Sequence, residues 1–299
     1  MKLQVATPSP LAKETSVKLG FFPTGVLGKI DFEEFARWGA EQGFGAMDVP
    51  PDRPGTRAIC DRYGLQVNCT SGIYGDPLQA DDRERETQVD LIKKAIDLAA
   101  EQRVPCLSTG HRRDPSVSAE DNVRLFKLAY EPLAGYAEAK GVKLVFENWP
   151  NGGRNFMITP ELWDRAFNAV PSKALGLVFD PSHFVWQGID YLRAARDFGS
   201  RIYHAHAKDT EMLSEGMYRF GIYGPQTESA RGSGGWWRYR LPGFGEVNWA
   251  KYVDVLAQVG FDGVLSIEHE DPVWGFTTDA DRARRGLILT RQMLSPLLV

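Results

Sequence analysis

The sequence has little cysteine, no long apolar run and no excess of basic residues. Its three cysteines, Cys60, Cys69 and Cys106, are odd in number and widely spaced, which argues against a disulfide framework and against a structural zinc site. Cys69 and Cys106 lie in apolar runs, where we expect buried free thiols. No stretch of 18 apolar residues is present, and the first 18 residues lack the apolar core of a secretory signal. We therefore predict a cytoplasmic protein without a membrane partner.

The charge balance also excludes a class of partner. The chain carries 35 Lys and Arg residues against 39 Asp and Glu residues, a formal net charge of −4. Proteins that bind nucleic acid need clustered basic residues to neutralise phosphates. We therefore expect no nucleic-acid partner, whereas a small neutral molecule is compatible with this balance.

Eight short β-rich runs alternate with longer segments of helical periodicity. Several of the runs are apolar almost throughout, which is typical of parallel strands covered on both faces. The predicted strands are 17–21, 46–49, 65–70, 104–108, 142–147, 175–180, 202–207 and 263–268. The predicted helices are 31–42, 54–63, 82–102, 119–140, 160–169, 190–198, 249–259 and 278–294.

This alternation predicts one α/β domain over residues 1–299, a single (β/α)₈ TIM barrel. The chain has the usual length for that fold, and eight strands, each followed by a helix, make its full count. Helix 31–42 carries local signals for its ends, an Asp cap at Asp31 and Gly43 just beyond its last turn. A doubly wound dinucleotide-binding fold is disfavoured, because no G-x-G-x-x-G follows the first strand.

Residues 209–247 interrupt the alternation after the seventh strand. This inserted loop is rich in Gly, Trp, Tyr and Arg, and loops of this length inside compact domains are usually functional or disordered. Its aromatic residues favour an ordered lid over the pocket or a subunit interface, so we expect a homo-oligomer.

Four consecutive predicted strands end in an acidic residue or a histidine, namely Glu147, Asp180, His206 and Glu268. Catalytic groups of a TIM barrel sit at these carboxyl ends. Three carboxylates aimed at one volume would repel one another unless a cation compensated them. We predict a divalent metal held by these four residues, Mn²⁺ first, with Mg²⁺, Co²⁺ or Zn²⁺ as alternatives. The other interpretation is that the acids cap the following helices.

Five further residues are candidates for contacting substrate: His183, His111, Lys208, Trp149 and Arg238. His183 follows Asp180 in a predicted turn, and His111 follows the fourth strand. Lys208 and the insertion arginines, including Arg231 and Arg240, offer charge for a phosphate or carboxylate, although a solvated loop face explains them equally well. His204 is predicted to be a packed core residue, and His269 points away from Glu268.

Four motifs resemble the xylose-isomerase-like TIM barrel superfamily, which includes ketose 3-epimerases, hydroxypyruvate isomerase, inosose dehydratase and endonuclease IV. They are FENW at Glu147, FDPSH at Asp180, HAKD at His206 and LSIEHED at Glu268. The segment WWRYRLPGFGEVNW, residues 236–249, is similar to a loop common among sugar phosphate isomerases and epimerases. In the epimerase branch a Glu-Asp-His-Glu set holds the metal, and the two glutamates act as acid and base. The resemblance assigns these catalytic roles to Glu147 and Glu268, and substrate contact to His183.

The resemblance implies a divalent-metal-dependent sugar isomerase or epimerase, with a keto-sugar or related polyol as substrate and proton abstraction next to its carbonyl. The epimerase pattern after the seventh-strand histidine is replaced here by Lys208-Asp209. A lyase or dehydratase acting on a keto-inositol or a 3-keto-glycoside is therefore the first alternative. A non-catalytic sugar-binding barrel is another. An endonuclease IV-like DNA repair enzyme needs additional histidines for three zinc ions, and this chain has five in total.

Overall fold

A computed structural model describes residues 17–224 and 232–298. In these ranges the strands are β1 Lys18–Phe21, β2 Ala46–Met47, β3 Cys106–Ser108, β4 Lys143–Glu147, β5 Leu175–Phe179, β6 Ile202–Ala207, β7 Asp209–Met212, β8 Trp237–Arg240 and β9 Val264–Ile267. The helices are α1 Phe32–Glu41, α2 Thr56–Arg62, α3 Asp82–Glu101, α4 Ala119–Lys140, α5 Pro160–Ala169, α6 Pro181–Gln187, α7 Tyr191–Asp197, α8 Ser214–Phe220, α9 Trp249–Gln258 and α10 Ala280–Leu294. Short 3₁₀ helices cover Gly25–Lys29, Asn151–Gly153, Gly199–Arg201 and Ser295–Leu297.

Seven strands form one parallel sheet in the order β2-β1-β9-β6-β5-β4-β3. The predicted strand 65–70 is not a continuous strand but touches both edges of this sheet. Gln66 and Thr70 bridge to the β2 edge, and Cys69 bridges to Cys106 of β3. The sheet therefore curls into a barrel, which confirms the predicted fold class. Strands β1 to β4 are each shorter than the apolar runs that predicted them.

The segment after β5 differs from the prediction. Residues 181–187 form helix α6, where a turn was predicted. Pro181 occupies the first helical turn, where a missing backbone N–H costs nothing. The Asp180 carboxylate caps the helix by accepting a hydrogen bond from the Ser182 N–H at 2.8 Å. His183 consequently lies on a helix and is completely buried.

The barrel interior contains a polar pair, Asp48 and His204. His204 lies 3.0 Å from the Asp48 carboxylate through Nε2, and the Asn68 amide nitrogen lies 3.1 Å from its Nδ1. His204 is thus a hydrogen-bonded core residue, as predicted. The three cysteines are free and buried, and burial raises the pKa of Cys60 and Cys106 to about 12. Such thiols stay protonated and unreactive at neutral pH.

The described part of the inserted segment forms a hairpin over the carboxyl end of the barrel. Strands β7 and β8 pair antiparallel, with α8 between them. Asp209 anchors the segment, because its carboxylate accepts hydrogen bonds from the Val247 N–H, the Gly243 N–H and the Trp249 indole, each at 2.9 Å. Arg231 lies outside the described residues. Among the helices of the described ranges, none is both long and apolar enough to span a membrane.

Candidate metal centre and active site

Four neighbouring strands carry the predicted metal ligands to one point. Glu147 is the last residue of β4, Asp180 follows β5, His206 lies in β6 and Glu268 follows β9. These strands are adjacent in the order β9-β6-β5-β4, so their carboxyl ends meet at one edge. One ligand atom from each of the four residues lies within 4.8 Å of all the others. We refer to these four residues as the quartet.

The His206 ring is at the centre of the quartet. Its Nδ1 lies 3.5 Å from Glu147 Oε1, 3.3 Å from Glu268 Oε2 and 4.0 Å from Asp180 Oδ2. Phe22 lies against the ring with its centroid at 5.4 Å, and His204 meets the ring edge-on at 5.6 Å. The packing therefore fixes which nitrogen faces the carboxylates.

The donor set fits a hard divalent cation. Within residues 17–224 and 232–298, His206 Nδ1 and Asp180 Oδ2 are buried atoms without a hydrogen-bond partner. Lys208 Nζ lies 3.1 Å from Asp180 Oδ2, close enough for charge attraction but outside hydrogen-bonding alignment. Buried polar atoms left unpaired are costly, and a bound cation would satisfy both. Three carboxylates with one imidazole match Mn²⁺, Mg²⁺ or Co²⁺ better than a thiolate-seeking metal.

Lys208 supplies the only side-chain ammonium that the described residues place against the quartet. It is 1% exposed and pairs with Glu268, with Asp180 and with Glu270, whose Oε2 lies at 3.1 Å. The ring of Tyr239 lies beneath it, 4.4 Å from Nζ. Burial alone would lower the pKa of Lys208, but Asp180 and the two glutamates raise it well above its usual value. Lys208 is therefore a permanent positive charge in the site.

The two quartet glutamates are ionised at neutral pH. Burial works against this, but the hydrogen bond from His183 and the positive charges of His206 and Lys208 hold the pKa of Glu147 well below its usual value. Burial likewise opposes ionisation of Glu268, and the Lys208 charge lowers its pKa. Glu270 differs, because its burial outweighs Lys208 and raises its pKa. The site thus contains carboxylates with pKa values shifted in opposite directions, as acid–base sites often do.

His183 joins the quartet through Glu147. Its Nε2 lies 3.1 Å from Glu147 Oε1 and 3.4 Å from Asp180 Oδ2, and the Tyr239 hydroxyl lies 2.9 Å from its Nδ1. Sequence reasoning missed Tyr239 as a site residue. Its position depends on the pairing of β7 with β8, which places it opposite Thr210. Glu270 was missed as well, although it is two residues beyond Glu268 in the LSIEHED motif.

The structure separates the remaining candidates. Trp149 is 37% exposed and lines the cavity. The His111 ring is buried, with Nε2 2.9 Å from the Glu147 carbonyl and Nδ1 accepting the Phe156 and Met157 N–H groups. Arg238 pairs with Glu211 at 2.7 Å in the hairpin. His111 and Arg238 are therefore absent from the cavity lining, and His269 is buried outside the quartet.

A cavity of about 210 Å³ opens beside the quartet. Its lining is Gly72, Ile73, Glu147, Trp149, Lys208, Glu268 and Glu270. A larger cavity of about 470 Å³ lies at the opposite, amino-terminal end of the barrel, lined in part by Lys143 and Tyr203. Neither cluster of potential metal ligands in the described residues borders that larger cavity. Chemistry in TIM barrels occurs at the carboxyl end, which makes the smaller cavity the candidate active site.

Comparison with known proteins agrees with this geometry. Residues 29–293 match the family model described as xylose isomerase-like TIM barrel. An inosose dehydratase of Geobacillus thermodenitrificans is 24% identical over 285 residues, which cover 87% of this chain and 92% of that protein. A protein of Bacillus subtilis, YfiH, is 33% identical over 150 residues, and the match spans 45% of its length.

A solved structure supports the same fold. D-psicose 3-epimerase from Clostridium cellulolyticum H10 superposes with a TM-score of 0.70 at 15% identity, covering 94% of this chain and 99% of the epimerase. At that identity the likeness concerns the barrel alone. The reaction has to be inferred from the residues at the carboxyl end.

Proposed function

Because the chain belongs to the xylose isomerase-like TIM barrel family, we propose that it is a divalent-metal-dependent sugar isomerase or epimerase. Its substrate would be a keto-sugar or a related polyol, and its reaction proton transfer next to the carbonyl. The observation that carries this proposal is the quartet, whose four ligand atoms lie within 4.8 Å of one another at the carboxyl end of the barrel.

Glu147, Asp180, His206 and Glu268 would hold the metal, with Mn²⁺ as the first candidate. A divalent ion at this position supplies Lewis-acid stabilisation of the negative charge that develops on a carbonyl oxygen. The neighbouring side chains serve this arrangement. Asn148 and Asp180 exchange two hydrogen bonds of 2.8 Å, which hold the ends of β4 and β5 in register. The Asp48–His204 pair lies below His206 and supports its ring.

Glu147 and Glu268 would transfer the protons. Both line the cavity, and β5 and β6 lie between their strands, so a substrate in the cavity has one glutamate on each side. Both have lowered pKa values, so both are available as bases at neutral pH. One removes a proton from the carbon next to the carbonyl. The other, after taking up a proton from solvent, returns it to the opposite face in an epimerase, or to the adjacent carbon in an isomerase.

His183, Lys208 and Trp149 are the residues we assign to substrate contact. Trp149 and Lys208 line the cavity, and Nε2 of His183 lies 3.1 Å from Oε1 of Glu147. His111 and Arg238 are left out of this assignment because backbone groups and Glu211 already engage their polar atoms.

A lyase is the second candidate, favoured by the inosose dehydratase that aligns with 87% of this chain. The first proton transfer would be the same. If a hydroxyl or alkoxyl group sits on the carbon beyond the carbanion, its C–O bond breaks as the C=C bond forms. The leaving oxygen takes a proton and departs as water or an alcohol. The substrate would then be a keto-inositol or a keto-glycoside.

The test is a screen of keto-sugars and keto-inositols with Mn²⁺-reconstituted protein in D₂O. Solvent deuterium at the carbon next to the carbonyl is expected for every version of the proposal, and the product structure separates epimerase, isomerase and lyase. A variant that carries both Glu147→Gln and Glu268→Gln serves as the control. Absence of exchange with every compound, in protein that retains its metal, would contradict the proposed chemistry.

A further inference from the structure

The cavity beside the quartet adjoins a second cavity, with which it shares two lining residues. The inner cavity has about 210 Å³ and the outer cavity about 380 Å³, and both are lined by Ile73 and Trp149. Ligand sites typically measure about 300–1,000 Å³. The inner cavity alone is below that range, so the two together form a site for a ligand larger than one small ring.

The outer cavity is lined by groups that recognise hydroxyls. Its polar side chains are Asp76, Gln79, Glu84, Gln88, Arg112, Asn151 and Asn155. A side-chain amide offers a donor and an acceptor at once, as a sugar hydroxyl does, and a carboxylate next to a guanidinium extends this pattern. Trp149 adds the exposed part of a flat apolar ring, against which the C–H face of a pyranose can pack.

The Asp76, Gln79 and Gln88 side chains are held in place before any ligand arrives, whereas the Arg112 side chain is 56% exposed and its Nε lies 3.6 Å from Asp76 Oδ2. The Asp76 N–H donates to Gln88 Oε1 at 3.0 Å, and the Gln79 amide donates to the Asp76 carbonyl at 2.9 Å. The Arg112 N–H donates to Asp76 Oδ1 at 3.2 Å. Within the described part of the chain, the Gln88 amide nitrogen, the Gln79 amide oxygen and the terminal nitrogens of Arg112 have no hydrogen-bond partner. Fixed side chains with unused polar atoms lose little entropy on binding.

The charges of the outer cavity argue against a phosphate group there. Asp76 and Glu84 face the single cation Arg112 in its lining. A phosphate in this position would meet excess negative charge, whereas a neutral, polyhydroxylated group would not.

We propose that the outer cavity is a subsite for a second sugar ring, so that the substrate is a keto-glycoside rather than a free monosaccharide. The keto ring would occupy the inner cavity, and the glycosidically linked ring would pack on Trp149 and bind the Asp76–Arg112 side. The orientation of the keto ring rests on the proposed function. Binding of the second ring does not.

The test compares one-ring and two-ring ligands on Arg112→Ala and Gln79→Ala. The 3-keto derivatives of methyl glucoside and of cellobiose, maltose and trehalose serve as substrates. Arg124→Ala is the matched control, because Arg124 is also an exposed arginine paired with an aspartate, Asp121, at 3.1 Å. We expect Arg112→Ala to lower kcat/KM for the best two-ring substrate about tenfold, the usual effect of losing one charge-assisted hydrogen bond. Turnover of the methyl glucoside derivative should stay within about twofold, and Arg124→Ala should change neither.

Equal losses for one-ring and two-ring substrates, or no preference of the unmutated protein for any two-ring substrate, would overturn the subsite. If no keto compound is converted, the proposed function fails, and calorimetry decides the subsite separately. Mn²⁺-loaded protein should bind one of the unoxidised disaccharides more tightly than glucose, with an affinity that falls in Arg112→Ala and not in Arg124→Ala. Equal affinity for glucose and for all three disaccharides would reject the second-ring site.

Discussion

The strands in the two halves of the barrel carry different residues at their carboxyl ends. Strands β4, β5, β6 and β9 deliver the quartet, whereas β1 ends in Phe21 and β3 in Ser108. The one acid on the other half, Asp48 after β2, pairs with His204 instead of facing the cavity. An acidic residue at a strand end is thus not sufficient to identify a ligand.

What separates the acids is the set of potential ligand atoms around them. Asp48 and Asp180 each keep one buried oxygen without a hydrogen-bond partner among the described residues. Asp180 lies beside two further carboxylates and His206, whereas Asp48 lies beside the imidazoles of His204 and His206, and Glu270 pairs with Lys208 at 3.1 Å. The quartet half is therefore arranged for a ligand, and the other half for packing. Substitutions in the two halves should accordingly fail in different ways.

The largest effect is expected for the quartet glutamates. Glu147→Gln and Glu268→Gln keep an oxygen for the metal but remove proton transfer, so each should lower kcat by about 10²–10⁴-fold. Metal content should fall much less. One of the two variants should still exchange substrate hydrogen with D₂O if each glutamate serves one face. Glu138→Gln, on the exposed face of α4, is the control. Near-normal turnover of both variants with metal retained would show that the glutamates bind the metal but do not transfer protons.

In the half of the barrel without the quartet, a core substitution should lower the free energy of unfolding and leave metal binding unchanged. Phe21 is fully buried, with the rings of Phe35 and Phe44 at 5.1 and 4.6 Å. Phe21→Ala should lower the free energy of unfolding by about 3–5 kcal/mol in urea titrations, while Phe21→Leu loses less. Manganese affinity of the folded variant should be unchanged. A variant of normal stability with weakened metal binding would contradict the assignment of this half to packing.

The quartet could be predicted from the sequence because each of its residues is recognised from the neighbouring residues in the chain. Each quartet residue lies at or next to the end of an apolar run, and the TIM barrel places the ends of neighbouring strands together. The same reasoning placed Lys208 at the site but not its burial among Asp180, Glu268 and Glu270, which depends on how three separate strand ends meet.

Long-range pairing accounts for most of what was missed. The hairpin that brings Tyr239 to His183 joins strands separated by the remainder of the insertion, and no local pattern encodes that register. Helix α6 was overlooked because its seven residues are too few for a clear periodicity. His111 resembled a pocket residue in sequence, but the backbone of residues 156–157 uses its free nitrogen.

An intermediate effect is expected when the pH is lowered, because the protein should lose stability in acid. This prediction tests a buried histidine outside the quartet, His269. Burial lowers the pKa of His269 to about 4 in the folded protein, against an unfolded value of about 6.5. Between these values the unfolded state binds more protons, so stability is lost as pH falls below about 6.5. For metal-free protein the cost should be about 2 kcal/mol at pH 5 relative to pH 7. His269→Gln should reduce the pH 7-to-5 difference in the free energy of unfolding, measured by urea titration, by that amount, and an unchanged difference would contradict a neutral buried ring.

The smallest effect on folding is expected at the surface of the insertion, where the oligomer prediction can be tested. Tyr218 and Tyr223 are 86% and 93% exposed, next to Ile222 at 54%. Exposed apolar side chains grouped in this way mark interaction surfaces. Tyr218→Ser with Tyr223→Ser should change the free energy of unfolding by less than about 0.5 kcal/mol per site, because little packing is lost. If the insertion builds a subunit interface, sedimentation should show a smaller assembly with normal monomer stability. If it is a lid, assembly should persist and KM should rise instead. Unchanged assembly and unchanged kinetics would contradict both roles for this patch.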